Sequence, residues 1–158
     1  LGICGGYQML LDEIVDDGVE GSERASAATT PGLGLLPGRV VFRQDKVLAR
    51  PHGTWRGHPV EGYEIHHGVV DPEGGDDFPG GHAVGPVRGS IWHGTLECDG
   101  FRRALLDDAA AMTGARWSAR AGAPPFAARR EGMIDILADA LETHVDVDAL
   151  LALTQETR

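Results

Sequence analysis

This 158-residue chain has little of several things, and each shortage excludes something. Two cysteines, Cys4 and Cys98, are too few for a disulfide framework, although one bridge between them is compatible with the sequence. Cations are scarce: 14 Lys and Arg against 24 Asp and Glu give a net charge of −10. Nucleic-acid surfaces and polybasic membrane contacts depend on clustered positive charge, so neither is expected, and a small molecule or a protein partner fits better. No stretch of about 18 apolar residues occurs, so no membrane-spanning helix is expected, and the expected location is cytoplasmic. Nothing like a P-loop is present, and no cofactor is expected to bind this chain. Metal-ligand spacing is also missing. His52, His58, His66 and His67 fall within sixteen residues. There is, however, no H-E-x-x-H and no C-x-x-C, and adjacent histidines on a strand point to opposite faces. No metal site is expected, and His66 reads as an active-site wall or a hydrogen-bonded core residue.

What the sequence does have is concentrated at its start. Leu1 to Leu11 reads LGICGGYQMLL, placing Cys4 between Gly2 and Gly6 as G-x-C-x-G, with helix-compatible residues directly after. A side chain standing clear of a strand-to-helix corner strains its own backbone, and small neighbours two positions either side relieve the clashes. The pattern is that of a nucleophile elbow. A cysteine at the mouth of a helix also feels the positive end of the helix dipole, which favours thiolate over thiol. The Gly5 backbone N–H would point at the same place, as half of an oxyanion hole. A small buried cysteine in a glycine-rich turn is the competing reading of this motif taken alone.

The chain is long enough for one domain with one core. The elbow helix is expected to last to about Val15, and Asp16 to Gly38 reads as a loop. Strands are expected at Arg39 to Phe42 and Lys46 to Arg50, followed by a polar turn from Pro51 to Pro59. Val60 to Val70 reads as a strand with an irregularity at Gly62. Asp71 to Gly89, rich in glycine and proline, reads as a surface loop. A strand beginning at Ser90 then presents His93 at its carboxyl end, where an open α/β sheet displays its chemistry. Asp99 is expected to cap a helix reaching Met112, with Phe101, Ala104, Leu105 and Ala109 on one face. A second helix is expected from Ala127 to Thr143, with Ile134, Leu137, Ala138 and Leu141 at helical spacing. Asp146 or Asp148 can cap a short final helix through Leu153.

The longer string GICGGYQML resembles the active-site signature of triad-class glutamine amidotransferases, and its Gly-Gly-Tyr-Gln continuation is similar to the branch of cobyric acid and cobyrinic acid diamide synthases. PGLGLLPGRVVF (Pro31 to Phe42), GYEIHHG (Gly62 to Gly68) and GSIWHGTLECDGFRRALL (Gly89 to Leu106) resemble the same branch in the same order. RREGMIDILADALETHVDVDALLAL resembles the terminal helices of its cobyric acid synthases.

The resemblance implies an α/β fold with a partial doubly wound, flavodoxin-like sheet lacking its first strands. It implies that the chain is the C-terminal part of a longer protein, a single glutamine amidotransferase domain whose upstream half and ATP-binding synthetase domain are absent. Cys4 would attack the side-chain amide of glutamine, with His93 as general base. Gly5, Gly6, Gln8, Tyr63 and His66 fall on oxyanion or substrate-binding positions. The released ammonia would serve the upstream synthetase domain, where ATP and Mg drive amidation of a corrinoid substrate in cobalamin biosynthesis. Many triad-class members carry a glutamate two residues after the histidine, but here that position is Thr95, a departure shared with the branch. Glu97 would lie about 13 Å from His93 on an extended strand, too far to orient it unless the chain turns. Two other readings are a glutaminase subunit that amidates a cell-wall lipid precursor and a non-catalytic scaffold domain.

Overall fold

A computed structural model describes residues 1–20, 28–120 and 122–154, in two units, Leu1–Ala119 and Arg120–Arg158. In chain order the first unit contains β1 (Gly2–Ile3), α1 (Gly5–Leu10), β2 (Glu13–Asp16), β3 (Ala28–Pro31), β4 (Gly38–Ala49) and the hairpin strands β5 (His52–Trp55) and β6 (His58–Glu61). It continues through β7 (Glu64–Pro72), β8 (Asp76–Phe78), β9 (Gly81–Val84), β10 (Val87–Ser90), a 3₁₀ turn (Thr95–Glu97) and α2 (Asp99–Thr113). The second unit holds α3 (Phe126–His144) and α4 (Val147–Leu153).

The fold is α/β with mixed sheets. One four-stranded sheet has the order β1-β10-β9-β8, and another has the order β3-β2-β4-β7. Among the described residues, parallel pairing is confined to β1 with β10 and β2 with β4.

The elbow helix is shorter than its composition predicts. Leu11 is fully buried and turns to extended backbone, and Asp12 exchanges two bonds with Gly38: its N–H donates to the Gly38 carbonyl (2.9 Å) and its carboxylate accepts the Gly38 N–H (2.9 Å). The β-branched Ile14 and Val15 then pair with Val40 and Val41. Sheet pairing, made from long range, thus overrides helix propensity after Leu10. Of the loop expected at Asp16 to Gly38, Ala28–Pro31 is a strand paired with β2, and residues 21–27 lie outside the described residues. The two strands expected between Arg39 and Arg50 are one, with an irregularity between Phe42 and Val47. The polar turn expected at Pro51 to Pro59 is the β5–β6 hairpin. The strand expected from Val60 to Val70 is two strands of different sheets, β6 ending at Glu61 and β7 beginning at Glu64, and the break falls at Gly62, where a Cβ would lie 2.7 Å from the His93 carbonyl oxygen.

The largest correction concerns Asp71 to Gly89, which is not a surface loop. It finishes β7 and forms β8, β9 and β10, and it buries Phe78, His82 and Arg88. Its glycines mark close approach as well as turns. A Cβ on Gly89 would fall inside the Tyr7 ring, and one on Gly81 would lie 2.9 Å from the same ring. Glycine-rich composition therefore reports an aromatic side chain laid against a sheet, which reads like a loop when the partner is distant in sequence.

Two apolar clusters hold the first unit. Tyr7, Leu11, Leu36 and Val40 lie under the elbow helix, and Val60, Phe78, Phe101 and Leu105 lie under α2. Trp55 joins the second cluster edge-on, 5.7 Å from Phe78 and 5.6 Å from Phe101. Ala109, expected on the buried face of α2, is exposed, and Asp108 is buried instead. The reason is charge: Asp108 pairs with buried Arg88 of β10 and with Arg56 of the hairpin turn, whose guanidinium lies 4.6 Å over Trp55. A buried carboxylate is tolerated when paired in this way. Cys98, not Asp99, holds the position before α2, while Asp99 sits in the first turn and pairs with Arg102. In the second unit Ile134, Leu137 and Leu141 are exposed on α3, and the Asp146 carboxylate caps α4 by accepting the Ala149 N–H at 3.0 Å. Among the described residues no helix is long and apolar enough to cross a membrane.

Gly89→Ala is expected to lower unfolding stability by about 1–3 kcal/mol through forced displacement of Tyr7. Gly132→Ala, inside α3 with open space around it, is expected to raise stability by about 0.5–1 kcal/mol. Denaturant titrations of both variants measure the difference.

Candidate active site

Cys4 stands at the corner between β1 and α1 with φ 50° and ψ −114°. A non-glycine residue rarely adopts a positive φ, and it keeps one only where surrounding structure enforces it. The enforcement is visible. The Cys4 N–H donates to the Ser90 carbonyl at 2.8 Å, and the Cys4 carbonyl accepts the Gln8 N–H at 3.0 Å. On the strand side, a Cβ on Gly2 would lie 2.6 Å from the Gly6 carbonyl oxygen and 2.7 Å from Leu10 Cδ1, so only glycine lets β1 approach the helix. Gly5 and Gly6 are exposed, and a Cβ on either would meet nothing. Steric need thus accounts for Gly2, while the space over Gly5 and Gly6 is open.

The strand expected to present His93 ends at Ser90, and His93 is held by a bridge instead. Its N–H donates to the Tyr63 carbonyl at 2.9 Å, and its carbonyl accepts the Tyr63 N–H at 3.0 Å. The Tyr63 ring stacks on the imidazole with centroids 4.9 Å apart and planes 11° from parallel. Tyr63 therefore orients His93 at its backbone and at its ring. His93 Nε2 is buried without a hydrogen-bond partner. The chain does turn after His93: Gly94 has φ 75°, Thr95 is buried, and Glu97 is exposed on the 3₁₀ turn, its N–H bonded to the Gly94 carbonyl at 2.9 Å.

Gln8 and His66 meet the same strand. Gln8 is buried against β7, where a Cβ on Gly68 would lie 2.6 Å from its Nε2. His66 lies two residues before Gly68, on the same face of β7. It is buried, and neither ring nitrogen has a hydrogen-bond partner; Nε2 is 3.6 Å from the Glu64 carboxylate. The structure thus groups Cys4, Gly5, Gly6 and Gln8 on α1 and its entrance, sets Gln8 against β7, and joins Tyr63 to His93. No hydrogen bond joins Cys4 to His93 among the described residues. Both cysteines are free thiols, and Cys98 Sγ lies against the Glu61 backbone, 3.3 Å from its nitrogen. Among the described residues no three His, Cys, Asp or Glu side chains gather as a metal cluster.

A buried pair under the elbow is invisible in the sequence. The Tyr7 hydroxyl lies 2.6 Å from His82 Nδ1, with the rings 5.6 Å apart and edge-on. Burial pushes the Tyr7 hydroxyl up to about 12, against a smaller opposing effect of a hydrogen bond with the His82 backbone. Burial also drives His82 below its usual range, opposed by the Pro37 carbonyl. A protonated phenol and a neutral imidazole share one proton along this bond, with the imidazole tautomer setting which of them donates. Only the close spacing of Gly80, Gly81 and His82 hints at this pair in sequence, and it names no partner.

The sequence profile of the CobB/CobQ-like glutamine amidotransferase domain matches residues 1–101. The chain belongs to that family. It is 51% identical over 156 residues to a cobyric acid synthase of Cutibacterium acnes, with 98% of this chain and 32% of that protein covered. It is 53% identical over 155 residues to a cobyric acid synthase of Streptomyces avermitilis, with 98% of this chain and 30% of that protein covered. A Streptomyces coelicolor cobyric acid synthase is 51% identical with the same coverage. This family member therefore spans about a third of the length of the curated relatives it matches.

The buried pair makes stability depend on pH at both ends. On the alkaline side the unfolded tyrosine ionises near 10 and folded Tyr7 only near 12, so stability falls between these values by about 2–3 kcal/mol. On the acid side the folded His82 resists a proton that the unfolded chain accepts. Stability is then full above about pH 6.5 and is lost as pH falls through the lowered folded value. Denaturation midpoints across pH, compared with Tyr7→Phe, are expected to lose the alkaline decline in the variant.

Proposed function

We propose that this chain is the glutaminase part of a cobyric acid synthase, supplying ammonia for ATP-dependent amidation of corrinoid carboxylates in cobalamin biosynthesis. The reading is carried by Cys4, held at a strained corner between β1 and α1. Its support in sequence is 51–53% identity to cobyric acid synthases over 98% of the chain.

In this reading Cys4 Sγ attacks the side-chain amide carbon of glutamine while His93 takes the thiol proton. Charge developing on the amide oxygen is met by the Gly5 N–H. The tetrahedral adduct collapses to a glutamyl thioester as the imidazolium returns the proton to the leaving nitrogen, and ammonia departs. Water, deprotonated by the same imidazole, then cleaves the thioester to glutamate and restores the thiol. Gly6, Gln8, Tyr63 and His66 hold the substrate around this centre, with the space open over Gly5 and Gly6 admitting it. The buried Nε2 of His93, free of protein partners, is available for proton transfer. Stacking on Tyr63 does the orienting for which Thr95 has no carboxylate. Catalytic hydrogen bonds are commonly long in the absence of substrate, so the missing Cys4–His93 bond does not count against the pair.

The cobyric acid synthase reading places ATP, Mg and the corrinoid in the part of the longer relatives that this chain does not span, and this chain itself binds no cofactor. The remaining strands of a doubly wound sheet and the second oxyanion donor belong there too, and a cytoplasmic location goes with the reading.

The test is intact-mass labelling with an electrophilic glutamine analogue, on this chain and on the intact protein that carries it, each beside Cys4→Ser. One adduct of the analogue's mass on the intact protein, absent from Cys4→Ser, is the expected result. A folded intact protein that takes no adduct, or takes it equally in Cys4→Ser, contradicts the reading.

A further inference from the structure

Tyr7 lies three residues past Cys4 on α1 and is almost wholly buried. Its ring fills the space above Gly89 of β10 and Gly81 of β9. Gly89 is the register partner of Gly2 in β1, and the next residue, Ser90, accepts the Cys4 N–H. Ser90 is itself fixed. Its hydroxyl donates to the Pro79 carbonyl at 2.7 Å and accepts the Trp92 N–H at 3.1 Å, and His93 follows directly. One side chain therefore touches the strand segment that supports Cys4 on one side and leads to His93 on the other.

The hydroxyl adds something that packing does not. A phenylalanine would cover the two glycines equally well and would bury no polar atom. Burying a phenol and an imidazole costs free energy unless they bond. What a directional bond supplies is rotation: it fixes how the ring, and with it α1, is turned against β9 and β10. We infer that Tyr7, held by His82, is the positioning residue that sets Cys4 in register with the segment carrying His93. The inference rests on the reading of Cys4 and His93 as nucleophile and base.

The test uses the intact protein carrying this sequence, as wild type, Tyr7→Phe, His82→Leu and His82→Asn. The last keeps a hydrogen-bonding atom near the Nδ1 position. Time-resolved intact-mass labelling by an electrophilic glutamine analogue, run over a concentration series, separates the limiting labelling rate from the half-saturating concentration. Displacing reacting groups by about an ångström can cost two orders of magnitude in rate. The limiting rate is therefore expected to fall about tenfold or more in Tyr7→Phe and His82→Leu, with half-saturation within about twofold of wild type. His82→Asn recovers most of the rate. A merely structural pair would lower the melting temperature of these variants and leave the limiting rate alone. If wild type labels and all folded variants label at its rate, the inference falls while the amidotransferase reading stands. If wild type does not label, that reading falls and takes this one with it. Should Tyr7→Phe not fold, the His82→Leu and His82→Asn pair decides, and equal rates in the two overturn the inference.

Discussion

The Tyr7 ring occupies volume that side chains at positions 81 and 89 would need, and the rest of the site depends on that contact. It presses the short helix α1 onto β9 and β10, and the corner at Cys4 follows from where the helix is held. A six-residue helix has no stability of its own in water. Full burial of a large side chain contributes roughly 1.5–3 kcal/mol, comparable to the roughly 1–3 kcal/mol stored in a residue held at an unfavourable φ and ψ. The strain at Cys4 is therefore sustained by tertiary packing, with the Ser90 carbonyl fixing where the Cys4 N–H ends up.

The second half of the site has its own contacts. Tyr63 and His93 meet through paired backbone bonds and stacked rings, and Gly62 lets the two segments close. This half rests on the cluster of Val60, Phe78, Phe101 and Leu105, and farther out the Asp108 carboxylate ties α2 to β10 and to the hairpin turn. Strand β10 is common to both halves. Its Ser90 end receives Cys4, and its continuation reaches Tyr63 through His93, so the geometry between Cys4 and His93 is a property of one short piece of backbone.

Legibility in the sequence followed the range of the interaction. G-x-C-x-G was readable because backbone strain and its relief lie within five residues, and Asp146 was readable as a cap because its partner is three residues away. The α/β class was readable for similar reasons. The glycines at 81 and 89 were not, since their partner, Tyr7, is distant in sequence and a close approach has the same composition as a loop. The burial of Asp108 in place of Ala109 was hidden because nothing local announces Arg88. The stacking of Tyr63 on His93 was similarly hidden, and it replaced the question of which carboxylate orients the imidazole with an aromatic answer. The end of α1 was misplaced because sheet pairing, which begins at Glu13, outweighs the helix propensity of a few residues.

The proposed glutaminase function makes one chemical claim, that the Cys4 thiol opens the amide of glutamine. The most direct measurement supplies the intact protein with glutamine carrying ¹⁵N at the side-chain amide and follows ¹⁵N-ammonia by NMR, beside Cys4→Ala. The account predicts steady release by wild type and none above background from the variant. Release that persists unchanged in Cys4→Ala would contradict it.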